Sequence, residues 1–192
     1  MAPVAIGTQT NGSVIRPGAD CGIYAFTPTV GRISRNGVLR TSAPLDTIGL
    51  FGRSLEDLAI LADVVMSYDS RDQDMVMTPK PQIARVMAED PPAPPSIAFI
   101  RSPVWHLAEQ STKDAFRELI EFYGEKTITI VDLPPLFDQA HDALSKIMAY
   151  GFAENFSEIY KNNKDQLSDE IIENIERGQN VTTEDFEEAL NT

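Results

Sequence analysis

Residues 7–17 read GTQTNGSVIRP, and this stretch carries the most specific signal in the chain. Its Gly, Thr, Asn and Ser content is typical of a loop, so we expect residues 7–22 to form neither helix nor strand. Ser13 follows Gly12 here, an arrangement that can expose a hydroxyl beside backbone N–H groups. An acyl-transfer nucleophile needs that oxygen and those donors, although a Gly-Ser pair alone is more often only a turn.

Further segments follow in a fixed order: CG at 21–22, FTPTVGR at 26–32, GV at 37–38, LDTIG at 45–49 and RSLED at 53–57. Together with residues 7–17, this series resembles the amidase signature family. That family includes simple amidases, malonamidase-like enzymes and the amidotransferase A subunit that works on glutamyl-tRNA. The resemblance is dense from Gly7 to Asp72 and looser from residue 96 onward.

The resemblance implies a role for each residue of the loop. Ser13 matches the acyl nucleophile of an amide hydrolase, and the backbone N–H groups of Thr10, Asn11, Gly12 and Ser13 match the oxyanion hole. Arg16 matches an arginine that faces a substrate carboxylate in malonamidase-like members. An ion pair that pins the loop is an equally weighted alternative for Arg16.

Three features depart from the family pattern. Asn11 stands where many members have a second glycine, which reduces the tolerance of a positive φ, and Gln9 stands where many have aspartate. The family activates its nucleophile through a second serine, on a cis peptide, and a lysine, both upstream. Residues 1–12 contain neither, and the first lysine is Lys80. We therefore expect a fragment of a longer amidase that is inactive alone.

Periodicity and turn signals predict an α/β fold, with a mixed sheet flanked by helices and an all-helical C-terminal portion. Ser54 and Asp57 suit the start of a helix reaching residue 68. Short strands are expected at residues 3–6, 22–26, 38–39, 48–51, 97–100 and 126–131, with the strand at 97–100 buried. A helix capped by Ser111 or Thr112 should join the last two strands. Ser168 and Thr182 suit two more helix starts, and Gly178 a helix stop.

The organisation predicted for residues 1–192 is one partial amidase domain. Residues 1–68 form its core with the nucleophile loop, 69–95 a Pro-rich extended excursion without a core, and 96–192 a variable region shaping the substrate pocket. The first predicted strand begins almost at residue 1, and the chain ends directly after an apolar pair. Both observations suggest a truncated domain.

Composition excludes several function classes. The formal net charge of -13 argues against nucleic-acid binding. No apolar run is long enough to span a bilayer, and no signal peptide is evident, so a cytoplasmic protein is expected. The expected partner is a small-molecule amide, and exposed sheet edges predict self-association. No metal or organic cofactor is expected.

Other reactive side chains have structural interpretations. Cys21 is expected to be a buried packing thiol. His106 and His141 lack partners at metal-ligand spacing. The acidic residues Asp69, Asp72 and Asp74 do not match a calcium loop, so a solvated turn is expected there. Two alternatives to an amidase stay open: a non-catalytic interaction module, and a transamidase subunit, for which residues 96–192 are a poor match.

Overall fold

The computed structural model describes residues 2–192. Its strands are β1 (Val4–Gln9), β2 (Tyr24–Phe26), β3 (Thr47–Gly52), β4 (Ile97–Arg101) and β5 (Ile128–Asp132). Its helices are α1 (Ile15–Asp20), α2 (Leu55–Val65), α3 (Ile83–Met87), α4 (Gln110–Tyr123), α5 (Ala140–Asn163), α6 (Asp169–Gln179) and α7 (Thr183–Asn191). Short 3-10 turns span Trp105–Leu107, Pro135–Gln139 and Lys164–Gln166. The predicted α/β class is confirmed.

The strands of the first half form an antiparallel sheet in the order β1-β3-β2. Val4 pairs with Gly52 and Gln9 with Thr47, so β1 runs along the whole of β3. The central strand β3 is almost entirely buried, as its apolar sequence TIGLFG requires. Helix α2 covers this sheet and completes a core of Ile33, Ile48, Leu50, Leu58, Ala62 and Met66.

Helix α2 begins where the sequence predicts. The Ser54 hydroxyl accepts a hydrogen bond from the Asp57 N–H at 3.1 Å, which satisfies one of the donors that a helix start leaves unpaired. The helix ends at Val65, three residues before the predicted end at 68.

The second half contains the predicted strand, helix and strand. Strands β4 and β5 pair in parallel, with Ile97 opposite Ile128, and α4 connects them. Two details of the prediction are wrong. The helix follows Glu109 at its N-cap position, not Ser111 or Thr112. Strand β4 is mostly exposed, because among the described residues this sheet has only two strands.

The chain after Pro135 is helical, as predicted. Ser168 caps α6 and Thr182 caps α7, the latter through a reciprocal pair of hydrogen bonds with Asp185. Gly178 is not a helix stop. It is buried within α6, and a Cβ there would lie 2.0 Å from the Ala149 carbonyl oxygen of α5. The glycine therefore permits the close packing of α6 on α5.

Four further expectations are wrong in detail. The predicted loop at 7–22 contains the end of β1 and all of α1, and residues 38–39 form no strand. Residues 69–95 contain α3, and Ile83 and Met75 are at least partly buried in this segment predicted to lack a core. The strands form two small sheets, one antiparallel and one parallel, and not the single mixed sheet expected.

Within residues 2–192, no helix is long and apolar enough to cross a membrane.

Candidate active site

The loop that contains Ser13 connects β1 to α1. Strand β1 ends at Gln9 and α1 begins at Ile15, so only five residues separate the two elements. Ser13 is exposed, and no hydrogen bond within residues 2–192 involves its hydroxyl. The Arg16 N–H donates to the Gly12 carbonyl at 3.0 Å, which closes the turn around Ser13. The candidate nucleophile is therefore presented to solvent by a short, tightly closed turn.

The side chain of Gln9 organises the end of this loop. Its Oε1 accepts hydrogen bonds from the N–H groups of Val14 at 2.9 Å and Ile15 at 3.1 Å. A neutral amide oxygen thus satisfies two N–H groups at the start of α1. An aspartate here would carry a negative charge, so the glutamine removes that charge and keeps an acceptor.

The four N–H groups before Val14 have no such partner. Within the described part of the chain, no protein acceptor receives a hydrogen bond from the backbone N–H of Thr10, Asn11, Gly12 or Ser13. The predicted oxyanion donors are therefore not occupied by protein acceptors in this part of the chain. No non-glycine residue in positions 2–192 has a positive φ, so Asn11 does not need the conformational freedom of a glycine.

Thr10 is joined to the rest of the fold through its side chain. The Thr10 hydroxyl donates to Asp46 Oδ1 at 2.6 Å, and Asp46 Oδ2 accepts from the N–H groups of Thr41 and Ser42 at 2.7 and 2.9 Å. Asp46 lies next to Thr47, the first residue of β3. The loop is thereby attached to the central strand at a second point, besides the pairing of β1.

Val14 attaches the loop to β3 by packing. Its side chain is completely buried, although both its neighbours, Ser13 and Ile15, are exposed. A Cβ on Gly49 would lie 2.5 and 2.6 Å from the two Val14 methyl carbons. Gly49 in β3 therefore leaves the space in which Val14 sits.

Arg16 lies beside the turn. A Cβ built on Gly12 would be 3.7 Å from Arg16 Nη2 and 3.8 Å from its Cζ. No ion pair joins Arg16 to a carboxylate among residues 2–192. The guanidinium is exposed, so a ligand can reach it.

A model of the family described as "Amidase" matches residues 1–191. The chain belongs to the amidase family.

Two relatives of this amidase-family chain are A subunits of glutamyl-tRNA(Gln) amidotransferase. The Deinococcus radiodurans protein is 47% identical over 79 residues, which are 41% of this chain and 16% of the relative. The Thermus thermophilus protein is 38% identical over 125 residues, 62% of this chain and 26% of the relative. The chain thus spans about a quarter or less of the length of these relatives.

Solved amidase-type structures share the fold. The substrate complex of 6-aminohexanoate cyclic dimer hydrolase superposes with a TM-score of 0.77 at 24% identity, covering 99% of this chain and 42% of that one. This likeness supports the architecture of both halves of the amidase-family chain.

An ionic network centred on the buried residues Arg35 and Asp72 adjoins Asp46. The Arg35 guanidinium donates to the carbonyl oxygens of Ala43 and Asp46 at 2.7 and 2.8 Å, and to Asp74 Oδ2 at 2.5 Å. The Arg35 N–H donates to Asp72 Oδ2 at 2.7 Å. The expected solvated turn is therefore wrong for Asp72, whose side chain is buried against Arg35 and Arg40.

The environment of Asp72 favours its charged form. Burial raises the pKa of this carboxyl, but hydrogen bonds from the N–H groups of Arg35 and Asp74, with the charges of Arg35 and Arg40, outweigh burial and lower it. Nearby, two hydrogen bonds from the Arg71 side chain, helped by the Arg71 N–H and Ser34, hold the pKa of Asp69 far below its usual range. Both carboxylates tie residues 69–74 to the segment that begins at residue 34.

The structure places Cys21 and Asp46 in surroundings that the sequence does not indicate. Cys21 is exposed, so the expectation of a buried thiol is wrong; it ends α1 at its C-cap, outside the sheet–helix core. Asp46, by contrast, stands out in the sequence only as part of the motif LDTIG. Its bond to Thr10 joins residues 36 positions apart, which no local pattern could reveal.

Proposed function

We propose that this amidase-family protein is an amide hydrolase in which Ser13 is the nucleophile. The Ser13 oxygen attacks the carbonyl carbon of a carboxamide and gives up its proton to a base. The C–N bond then breaks, and ammonia or an amine leaves after taking up a proton. Water hydrolyses the resulting ester on Ser13 and releases a carboxylic acid. The exposed, hydrogen-bond-free hydroxyl of Ser13 is the observation that carries this proposal.

The backbone N–H groups of Thr10, Asn11, Gly12 and Ser13 would stabilise the negative oxygen of the tetrahedral intermediate. Donors already in place when the charge develops lower the barrier, and the loss of one typically reduces the rate about 10²- to 10³-fold. Support comes from the absence of protein acceptors for these four groups within residues 2–192 and from the side-chain bonds of Gln9 and Thr10 that hold the loop.

The base that accepts the Ser13 proton would come from outside the 192 residues. Among the described residues, no Lys, His or carboxylate forms a hydrogen bond with Ser13. A serine hydroxyl without a base is a poor nucleophile. The family resemblance implies a lysine and a cis-peptide serine for this task, so we expect these 192 residues alone to lack hydrolase activity.

The substrate class we propose is a small amide that also carries a carboxylate. The guanidinium of Arg16 lies beside Gly12, is exposed and has no acidic partner within residues 2–192. A planar guanidinium binds a carboxylate through two parallel hydrogen bonds. We expect Arg16→Lys to weaken binding of such an amide more than binding of an uncharged one.

A second candidate is a transamidase subunit, because the curated relatives named above are amidotransferase A subunits. In that case the amide nitrogen would pass to an acceptor and not leave as free ammonia. A third candidate is a non-catalytic interaction module, which the lack of a base beside Ser13 favours. Self-association through the outer edges of β1 and β2, which pair only with β3 within residues 2–192, would suit that role.

The deciding experiment is labelling with a serine-directed fluorophosphonate. It compares the 192-residue chain with a version extended upstream by the lysine- and serine-bearing segment of an amidase, each with a Ser13→Ala control. Labelling of the extended version alone, lost in Ser13→Ala, is the expected result. Labelling of the 192 residues at Ser13 would contradict the inactivity proposal. If neither version is labelled at Ser13, the hydrolase proposal fails and the non-catalytic candidate replaces it.

A further inference from the structure

We infer that Asp46 is a positioning residue for the candidate oxyanion loop and that it acts through the hydroxyl of Thr10. The importance of that loop rests on the proposed function, whereas the hydrogen bond between Thr10 and Asp46 is a feature of the structure. The Thr10 hydroxyl donates to Asp46 Oδ1 at 2.6 Å, within the range of a strong charge-assisted hydrogen bond. Thr10 is also the first of the four residues whose N–H groups have no protein acceptor within residues 2–192.

The Asp46 carboxylate is held in one orientation. Its Oδ2 accepts from the Thr41 and Ser42 N–H groups at 2.7 and 2.9 Å, which leaves Oδ1 directed to Thr10. The residue is 8% exposed, so its hydrogen bonds are poorly replaced by water. Its carbonyl oxygen accepts from Arg35 Nη1 at 2.8 Å, which fixes the backbone as well.

A third element packs against the turn at residues 41–42. Helix α5 packs on Ser42: the Ser42 hydroxyl donates to the Ile147 carbonyl at 3.4 Å, and a Cβ on Gly151 would lie 2.9 Å from Ser42 Cα. The turn at residues 41–42 is thus enclosed between α5 and Asp46. Asp46 thus links Thr10 to this packed turn and restricts its movement. No other side-chain hydrogen bond within residues 2–192 involves the Thr10 side chain.

A purely structural role for Asp46 makes a different prediction. If Asp46 served only to stabilise the 41–42 turn, the Thr10 hydroxyl would be dispensable. Replacing Thr10 by valine keeps the shape of the side chain and removes only the hydroxyl, whereas replacing it by serine keeps the hydroxyl. The pair Thr10→Val and Thr10→Ser therefore separates positioning from general stability.

The first readout is hydrogen–deuterium exchange of the 192-residue chain, which needs no activity. We expect Thr10→Val to accelerate exchange of the Val14 and Ile15 amides, which donate to Gln9 Oε1, at least about tenfold, with exchange in β3 unchanged, and Thr10→Ser to keep their exchange slow. Ser54→Ala, which removes the cap of α2, is the matched control: it should accelerate exchange in α2 and leave the Val14 and Ile15 amides unaffected. Unchanged exchange in Thr10→Val, or acceleration spread evenly over the sheet, would overturn the inference.

The second readout is the kinetics of fluorophosphonate labelling in the extended version. We expect Thr10→Val to lower the maximal labelling rate by about 10- to 100-fold and leave the half-saturating reagent concentration unchanged, since a displaced loop impairs the chemical step. Asp46→Asn should also lower the maximal labelling rate, because it places an amide group where three hydrogen-bond donors converge.

The two readouts also separate this inference from the proposed function. If Ser13 is labelled but Thr10→Val reacts at the normal rate, the positioning role fails and the hydrolase proposal stands. If Ser13 is never labelled, the hydrolase proposal fails, and the exchange data still decide whether Asp46 holds the loop.

Discussion

The packing of Val14 against Gly49 predicts a strong, measurable coupling between the nucleophile loop and the central strand. In Gly49→Ala, the new Cβ would lie 2.5 and 2.6 Å from the Val14 methyl carbons, far inside van der Waals contact. Because Val14 is completely buried, it cannot turn into solvent to relieve the clash. Overpacking of this kind typically costs about 1–3 kcal/mol, and we expect about 2 kcal/mol here.

Val14→Ala should relieve most of that clash. Alone it removes two buried methyl groups at about 0.8 kcal/mol each, plus a cavity penalty, so we expect a loss of about 2–3 kcal/mol. In the double variant, the methyl group introduced by Gly49→Ala enters the space that the Val14 methyl groups leave. The double variant should then be destabilised by about 1–2 kcal/mol less than the sum of the two single-variant costs.

Urea unfolding followed by far-UV circular dichroism measures these free energies. The matched control pairs Gly49→Ala with Val64→Ala on α2, where the valine is 65% exposed and the costs should simply add. Additivity within about 0.5 kcal/mol for the Val14 pair as well would show that Val14 does not occupy the space above Gly49, and the reasoning would be refuted.

Three further predictions follow from caps, charge and helix packing. Ser54→Ala should lower the stability by about 1 kcal/mol in a urea titration, whereas Ser54→Asp, which keeps a capping oxygen, should not. The lowered folded-state pKa of Asp72 means that its stabilising contribution is complete above its ordinary value of 3.8 and disappears as the pH falls toward the folded value. The melting temperature should therefore fall less steeply below about pH 5 in Asp72→Asn than in the wild type, and an equal slope would contradict this. Gly178→Ala should cost about 3 kcal/mol in urea, because its Cβ would lie 2.0 Å from the Ala149 carbonyl oxygen. The exposed substitution Glu173→Ala on the same helix should cost less than about 0.5 kcal/mol, and a similar cost for both would count against the close contact.

Elements whose signals are local could be predicted from the sequence. The α2 start at Ser54, the α6 and α7 caps at Ser168 and Thr182, and the strand–helix–strand order of the second half are all confirmed. Asn-Gly pairs favour tight turns, and Asn36–Gly37 forms one, with Gly37 at a φ of 79° and the Val38 N–H donating to the Arg35 carbonyl. Each of these depends on a few consecutive residues.

Contacts between distant segments escape prediction. The local pattern around Asp72 indicates a solvated turn, but Arg35 buries this carboxylate from 37 positions away. Gly178 resembles a helix stop because its packing against α5 has no signature within α6 itself. For the candidate site, the residue types of the loop could be read from the sequence, whereas its attachment through Asp46 and Gly49 required the three-dimensional arrangement.

The register of β1 also has a consequence for the order of folding. Val4 pairs with Gly52, so the pairing of β1 with β3 requires closure of a long intervening segment. Helices α5, α6 and α7 are neighbours in the chain and can associate early. On a ribosome, β1 would be synthesised before β3 and could not pair with it until β3 emerges. During that interval the backbone of β1 and Ile6, which is 58% exposed even in the folded chain, could pair with other chains. Residues 10–14 directly follow this strand, so they should not reach their final conformation before β1 has paired with β3.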